Sequence, residues 1–258
     1  GTISWAMFND VHENLPIYSH FSKHLRDITS FCAFNGDILN HIDDEATIED
    51  RLLTPFSNIS QSNSLPIAYI RGNHETRSDF ARQLRNYAGL FNGKFYGAFS
   101  IGDVRFLLLD SGEDKDDSCP AYFGLVDFER YIEEQIEFIK KETASPQWKN
   151  AKARIVMRHI PYAGPHPFDI TRIAKLDAAL KDGNVTLMMC AHLHRPNWCR
   201  PTSERPFPIV IGGGRNLNAK VQNGATLTKC YIKGNTLTVN VINTAGETII
   251  AKTINLAK

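Results

Sequence analysis

Apolar positions along this chain fall into short runs that stop abruptly at polar residues or glycine. Residues 3–9 (ISWAMFN), 31–36 (FCAFNG), 65–71 (LPIAYIR), 153–158 (ARIVMR) and 184–190 (NVTLMMC) are runs of this kind, which predicts buried strands. The intervals 15–30 and 45–60 are long enough for crossover helices, so the opening reads as strand, helix, strand, helix and predicts an α/β fold. Leu125, Phe128, Ile132, Ile136 and Ile139 recur at steps of three and four, with Glu129, Glu133, Glu137, Lys140 and Lys141 on the opposite face. That spacing predicts an amphipathic surface helix over 125–143, its charges solvated. Residues 94–109 read instead as two strands joined at Ile101-Gly102-Asp103. From residue 224 onward the pattern is again β, with a turn at Gly234-Asn235 and a second near Ala245-Gly246, so antiparallel strands complete a parallel beginning.

Composition adds bounds. The 258 residues suffice for a substantial core near the upper size of one domain, and a single domain over 1–258 is expected. Lysine plus arginine number 29 against 28 acidic residues, a formal net charge of +1, so no global field favours extended nucleic acid. Five cysteines form no CxxC pair and are odd in number, which reads as free thiols, with Cys190 and Cys199 the one pair left open. No run of about 18 apolar residues would span a bilayer. The chain opens Gly1-Thr2 and enters an apolar run at once, which reads as a domain cut from a longer chain.

The chemistry sits at the ends of the predicted strands. Asn9-Asp10-Val11-His12, Gly36-Asp37, Gly72-Asn73-His74-Glu75, His159 and Ala191-His192-Leu193-His194 each follow an apolar run. On an extended segment residues i and i+2 share a face, so Asp10 with His12 and His192 with His194 are expected to converge. Singly each element is an ordinary polar turn. Together, strand carboxyl ends in an open α/β sheet gather into one crevice, and seven oxygen and imidazole donors suffice for two metal ions sharing a carboxylate. Donors of this kind without thiolate favour iron, manganese, zinc or cobalt. Two carboxylates against two divalent ions leave net positive charge for a hydroxide and a phosphate group.

In the motif order D-x-H, G-D, G-N-H-[ED], H and G-H-x-H the chain resembles the calcineurin-like metallophosphoesterases over nearly its whole length. The resemblance implies a four-layer α/β/β/α sandwich of two mixed sheets. It implies Asp10, His12, Asp37 and His194 as ligands of one metal ion, and Asp37, Asn73, His159 and His192 as ligands of the other, with Asp37 bridging. It implies two manganese, iron or zinc ions and cleavage of a phosphomonoester or phosphodiester by metal-activated hydroxide, in a small phosphorylated substrate. His74 becomes the general acid or a donor to the phosphoryl group, and Asn73 and His74 also face substrate. Ala191 stands where the family usually has glycine. Gly36-Asp37-Ile38-Leu39-Asn40 lacks the iron-binding tyrosine of purple acid phosphatases, so no purple absorption is expected. The finer likeness is to bacterial members carrying an N-terminal module, which implies export to the periplasm or cell surface.

Around these positions alternatives stand side by side. Asn40 either orients His74 or caps a helix. Arg77 either contacts phosphate through its fork or is a plain surface arginine. His166 either overhangs the site on a proline-stiffened loop or lies at the surface. Glu75 reads as a supporting carboxylate, and Arg195, Arg200, Arg205 and Arg215 as a basic rim or as solvated loop charges. Gly212-Gly213-Gly214 lacks the context of a nucleotide loop and reads as a tight turn near the site. The rival functions are a nucleotide or nucleic-acid diesterase and a non-catalytic binding protein on the same fold.

Overall fold

The computed structural model describes residues 1–89, 93–163 and 171–256. Among them are twelve strands: β1 (Ile3–Phe8), β2 (Phe31–Asn35), β3 (Ile67–Ile70), β4 (Gly97–Ile101), β5 (Val104–Leu108), β6 (Ala153–Met157), β7 (Leu187–Cys190), β8 (Asn197–Cys199), β9 (Ile209–Ile211), β10 (Thr226–Lys233), β11 (Thr236–Asn243) and β12 (Thr248–Asn255). The α-helices are α1 (Pro16–Ser22), α2 (Glu45–Ile48), α3 (Thr54–Asn63), α4 (Arg85–Ala88), α5 (Phe128–Ala144), α6 (Pro146–Lys149) and α7 (Thr171–Leu180).

The strands form two mixed sheets ordered β12-β11-β10-β1-β2-β3 and β4-β5-β6-β7-β9-β8. In the first, β1, β2 and β3 are parallel, with Trp5 opposite Phe31 and Cys32 opposite Ile67, and the β10–β12 meander joins antiparallel to β1. In the second, β5, β6, β7 and β9 are parallel, with β4 and β8 antiparallel at the edges. The parallel strands are buried on both faces along almost all their length, which is why they read as continuous apolar runs.

Three apolar layers separate four structural ones. Between the sheets, Trp5 and Phe31 meet Phe106 edge-on at 5.1 and 5.0 Å, beside Met7, Met157 and Met189. Outside the first sheet, Phe8, Phe34 and Tyr69 pack on Phe21 and Phe56 of α1 and α3. Outside the second, Leu107, Val156 and Met188 pack on Ile132 and Ile139 of α5 and on Ile173 and Leu176 of α7. The result is the expected α/β/β/α sandwich.

Several boundaries differ from expectation for identifiable reasons. The 15–30 interval holds only α1 and a 3₁₀ turn, Lys23–Leu25, and the Ser4 and Ser30 hydroxyls then tie 29–30 back to β1. In 45–60, α2 passes through a π turn, Glu49–Leu53, into α3. Pro55 lacks an N–H and its ring would press on a carbonyl one turn back, which widens that turn. Helix α5 starts at Phe128, N-capped by Asp127, so Leu125 lies outside it and is exposed. The short strands β8 and β9 carry no strong periodicity and escaped the sequence reading. All five cysteines are free. Cys190 on β7 and Cys199 on β8 lie on opposite sides of β9, two strand spacings or about 9.6 Å apart, beyond disulfide reach.

Candidate metal centre

The seven expected ligands leave the carboxyl ends of β1, β2, β3, β6 and β7. The loop after β1 is laid along the loop after β2 by backbone bonds, Asp10 N–H to Gly36 O (3.0 Å), His12 N–H to Asp37 O (2.9 Å) and Glu13 N–H to Ile38 O (2.8 Å). These loops are not extended. Asp10, His12, Asp37, His192 and His194 all have positive φ, between 47° and 70°. The i, i+2 pairs therefore converge by a different route: the left-handed residues curl the loop so that the Asp10 and His12 donors meet while Val11, between them, is buried. Left-handed backbone in non-glycine residues is uncommon and concentrates where the surroundings over-determine it. Likewise His74 leaves the line of Asn73 because His74–Thr76 is a 3₁₀ turn rather than an extended segment.

The donor atoms form two groups with Asp37 common to both: Asp10, His12, Asp37 and His194; and Asp37, His159 and His192, each group with its donor atoms within 4.8 Å of one another. His194 Nε2 lies 3.1 Å from Asp10 Oδ1 and 3.1 Å from His12 Nε2. His159 Nε2 lies 3.2 Å from Asp37 Oδ2 and 3.8 Å from Asp10 Oδ1. Asn73 Oδ1 joins the second group, 3.0 Å from His192 Nδ1.

The residues present suit cations. His159 Nδ1 donates to the Asn35 carbonyl (2.8 Å), which turns Nε2 inward, where it is buried without an aligned hydrogen-bond partner. His12 is held the same way by Asn40 Oδ1 at 3.1 Å. Orienting bonds of this kind on the far ring nitrogen are what a ligating imidazole requires. Electrostatics carry the same demand for positive charge. Burial opposes charge on His159, but the Asp37 carboxylate overrides it and raises the imidazole to about 10. Asp37 is also buried, yet His159, His74 and His12 hold it well below the usual carboxylate range. Burial, helped by the neighbouring His74 and His194, outweighs Asp37 and Asp10 and pushes His12 down to about 4, which keeps that ring neutral and able to ligate.

Around the donors lies a shell of fixed groups. Glu75, fully buried, accepts from the backbone N–H groups of Ile38 (2.6 Å), Gly72 (2.8 Å), Leu39 (2.9 Å) and Asp37 (3.0 Å), lacing the loops after β2 and β3 together. Its burial and the Asp37 charge push its pKa up to about 7, while those four donors favour the carboxylate. Asn9 Nδ2 donates to Asp10 Oδ2 (2.8 Å) and to the Gly213 carbonyl (2.7 Å), fixing the carboxylate that follows it. Gly212-Gly213-Gly214 form no turn but an irregular stretch after β9, and a Cβ on Gly212 would fall 2.0 Å from Asn9 Oδ1.

Three expectations change. Asn40 caps no helix, since Asp44 caps α2; it orients His74, but through its backbone carbonyl, 2.8 Å from His74 Nδ1, while its side chain serves His12. Arg77 is no plain surface arginine: Glu113 grips its Nε at 2.6 Å and Nη2 at 3.0 Å, which leaves Nη1 against His74 Nε2 at 3.1 Å. Arg205 is buried, donating to the carbonyls of Phe207 and Arg200, and so leaves the rim; Arg195, Arg200 and Arg215 are exposed. His166 lies outside the described residues. The sequence reading missed Glu113 as the partner of Arg77 and Asn9 as the support of Asp10. Glu113 stood in a charged run after a strand, and only the fold puts that strand beside β3's loop.

Comparison with known proteins follows the same line. A sequence profile described as calcineurin-like phosphoesterase matches residues 5–196. Among solved structures, the purple acid phosphatase PPD1 from yellow lupin (Lupinus luteus) is similar at 15% identity and TM-score 0.68, over 99% of this chain and 54% of that one, so this chain spans about half of the lupin enzyme. A dimetal phosphatase from Danio rerio is similar at 12% identity and TM-score 0.70, over 99% of both chains. GAP50, the anchor in the inner membrane complex of Plasmodium, is similar at 12% identity and TM-score 0.70, over 100% of this chain and 90% of that one. At such identities the likeness is one of fold. No curated protein sequence matches.

Proposed function

This chain belongs to the calcineurin-like phosphoesterase family, and on that premise we propose that it hydrolyses a phosphomonoester or phosphodiester of a small phosphorylated substrate at a two-cation centre. Asp10, His12, Asp37 and His194 would hold one ion, and Asp37, Asn73, His159 and His192 the other. The observation that carries this reading is the pair of donor groups sharing the single carboxylate of Asp37. Bound there, two cations supply Lewis acidity to the phosphoryl group and activate water.

The remaining steps belong to the chain. His74 Nδ1 is committed to the Asn40 carbonyl, so the proton on that nitrogen stays put and Nε2 faces the centre, 3.9 Å from Asp37 Oδ2. From there it protonates the leaving oxygen or donates to the phosphoryl group. Arg77, its fork anchored by Glu113, presents Nη1 beside that nitrogen and stabilises charge developing on the phosphoryl oxygens. Asn73 and His74 flank the substrate. A core shared by both sheets supports one catalytic unit. Imidazole and carboxylate donors suit manganese, iron or zinc.

The test is to strip the protein and reload it with manganese, iron or zinc, then measure turnover of p-nitrophenyl phosphate and bis-p-nitrophenyl phosphate in parallel. Metal-dependent turnover that falls at least about 100-fold in Asp37→Asn supports the reading, and the preferred ester separates phosphatase from diesterase. Failure to retain two ions per chain refutes it.

A further inference from the structure

Large apolar side chains left in water are concentrated at the metal end of the fold. Among the described residues five stand out: Phe123 (84% exposed), Leu125 (69%), Tyr162, Leu193 and Ile249. The first four lie on the segments that leave the carboxyl ends of β5, β6 and β7, three adjacent parallel strands. These segments also carry His159, His192 and His194. Leu193 sits between two of those histidines, and Tyr162 follows the third by three residues.

The segment bearing Phe123 and Leu125 is pinned to the cleft rather than trailing from it. Glu113 grips Arg77; Arg172 donates to the carbonyls of Glu113 (2.6 Å) and Lys115 and pairs with Asp117 (3.0 Å). Arg82, which follows the His74 turn, donates to the Leu125 carbonyl (3.3 Å). Tyr122, next to Phe123, is near enough for the Glu113, Asp114 and Arg77 charges to act on its hydroxyl. The loop after β2 in the first sheet adds polar groups at the same end, including Asn40 and the exposed His41–Asp43 pair. The metal end of the fold thus combines donor groups suited to cations, polar loops and exposed apolar side chains. Exposed apolar side chains held beside polar and cation-binding groups are the kind of surface that takes a ligand.

We infer that the substrate is amphiphilic, a phosphoester whose leaving group is an aliphatic or aromatic alcohol lying on Phe123, Leu125, Tyr162 and Leu193. The inference rests on the phosphohydrolase reading and adds the class of substrate to it. Water adds to phosphorus, the P–O bond to the apolar alcohol breaks, and the alcohol departs with a proton, leaving the phosphate.

The test uses metal-loaded full chain and non-hydrolysable methyl-, butyl- and hexylphosphonate, titrated calorimetrically below any micelle-forming concentration. A fully buried methylene strengthens binding about four-fold, so one lying on an open wall adds about two-fold. Five added methylenes then give roughly thirty-fold tighter binding of hexyl- than of methylphosphonate. Phe123→Ser with Leu125→Ser is expected to cut that gain below about five-fold while methylphosphonate binds as before. Equal binding of all three phosphonates, or a gain that survives the double substitution, overturns the inference alone. If two metals are bound and methylphosphonate does not bind, the phosphohydrolase reading falls and this inference with it.

Discussion

Replacing Glu75 tests how far the ligand loops depend on a carboxylate that holds backbone alone. Its two oxygens take four N–H groups, from Gly72, Asp37, Ile38 and Leu39, in a fully buried position. Glu75→Ala leaves four buried donors without partners. At about 1 kcal/mol for each bond, and up to about 3 for a donor left dry, the loss is about 4 kcal/mol or more. That is a large part of the roughly 5–15 kcal/mol by which a domain is stable. Glu75→Gln keeps one oxygen and its two bonds but sets an NH₂ group against two N–H donors. It is expected to lose about 2 kcal/mol plus that repulsion. Urea unfolding of both variants, metal-free and metal-loaded, with elemental analysis of bound metal, separates fold from site. The Ala variant should unfold at markedly lower urea and retain fewer than two ions, with the Gln variant between it and the native protein. If Glu75→Ala unfolds within about 1 kcal/mol of the native protein and still holds two ions, the brace is not what positions Asp37 and Asn73.

Other substitutions probe separate parts of the argument. Asn40→Ala removes the oxygen that orients His12 but leaves the carbonyl that holds His74, so metal affinity should fall about 10- to 100-fold with the kcat of the fully loaded enzyme within a few-fold; a kcat collapse at saturating metal would place the side chain in the chemistry instead. In Gly72→Ala the new Cβ would stand 2.3 Å from both Asp37 N and Asp37 Oδ1, so bound metal measured after gel filtration should drop below two ions; retention of both would show that the loop yields. Asp27 gives a pH test far from the centre: partial burial opposes its charge, but hydrogen bonds from Lys229 and Tyr231 prevail and lower its pKa below the usual 3.8. Its stabilising contribution is therefore present above that value and lost as pH falls through the lowered one, and because the carboxylate is largely exposed it is worth at most about 1 kcal/mol. Asp27→Asn should be slightly less stable than the native protein at neutral pH and equal to it in strong acid; a constant difference across pH would dissociate the effect from ionisation.

The parts of the fold legible in sequence were those where one physical cause dominates. Strands buried on both faces announce themselves as apolar runs, and their carboxyl ends converge whatever joins them, so the segments carrying the clustered donors could be named before any coordinates. What stayed hidden depends on through-space pairing. Nothing local tells that Glu113, 36 residues beyond Arg77, will anchor it, because the antiparallel β4 and β5 intervene. Asn40 was rightly linked to His74 but through the wrong atom, since a backbone carbonyl carries no residue-type signal. The curled geometry of Asp10-Val11-His12 was invisible for a similar reason: Asp and His tolerate left-handed backbone without requiring it, and the extended reading led to the same convergence by another path.

That curl bears on how long the protein lasts. Five residues of the proposed centre sit in the left-handed region, at about 1 kcal/mol each, a sum near the whole margin by which many domains stay folded. In the proposed holoprotein, cation binding offsets that strain by mass action, since whatever binds only the native state raises its stability with concentration. A chain made during metal scarcity would be silent and also closer to unfolding, and a shift of even 1–2 kcal/mol changes cellular abundance several-fold through proteolysis. On that proposal, metal supply would govern how many molecules persist as well as how many are active, and a cell returning to plenty would have to synthesise the protein again instead of refilling a dormant stock.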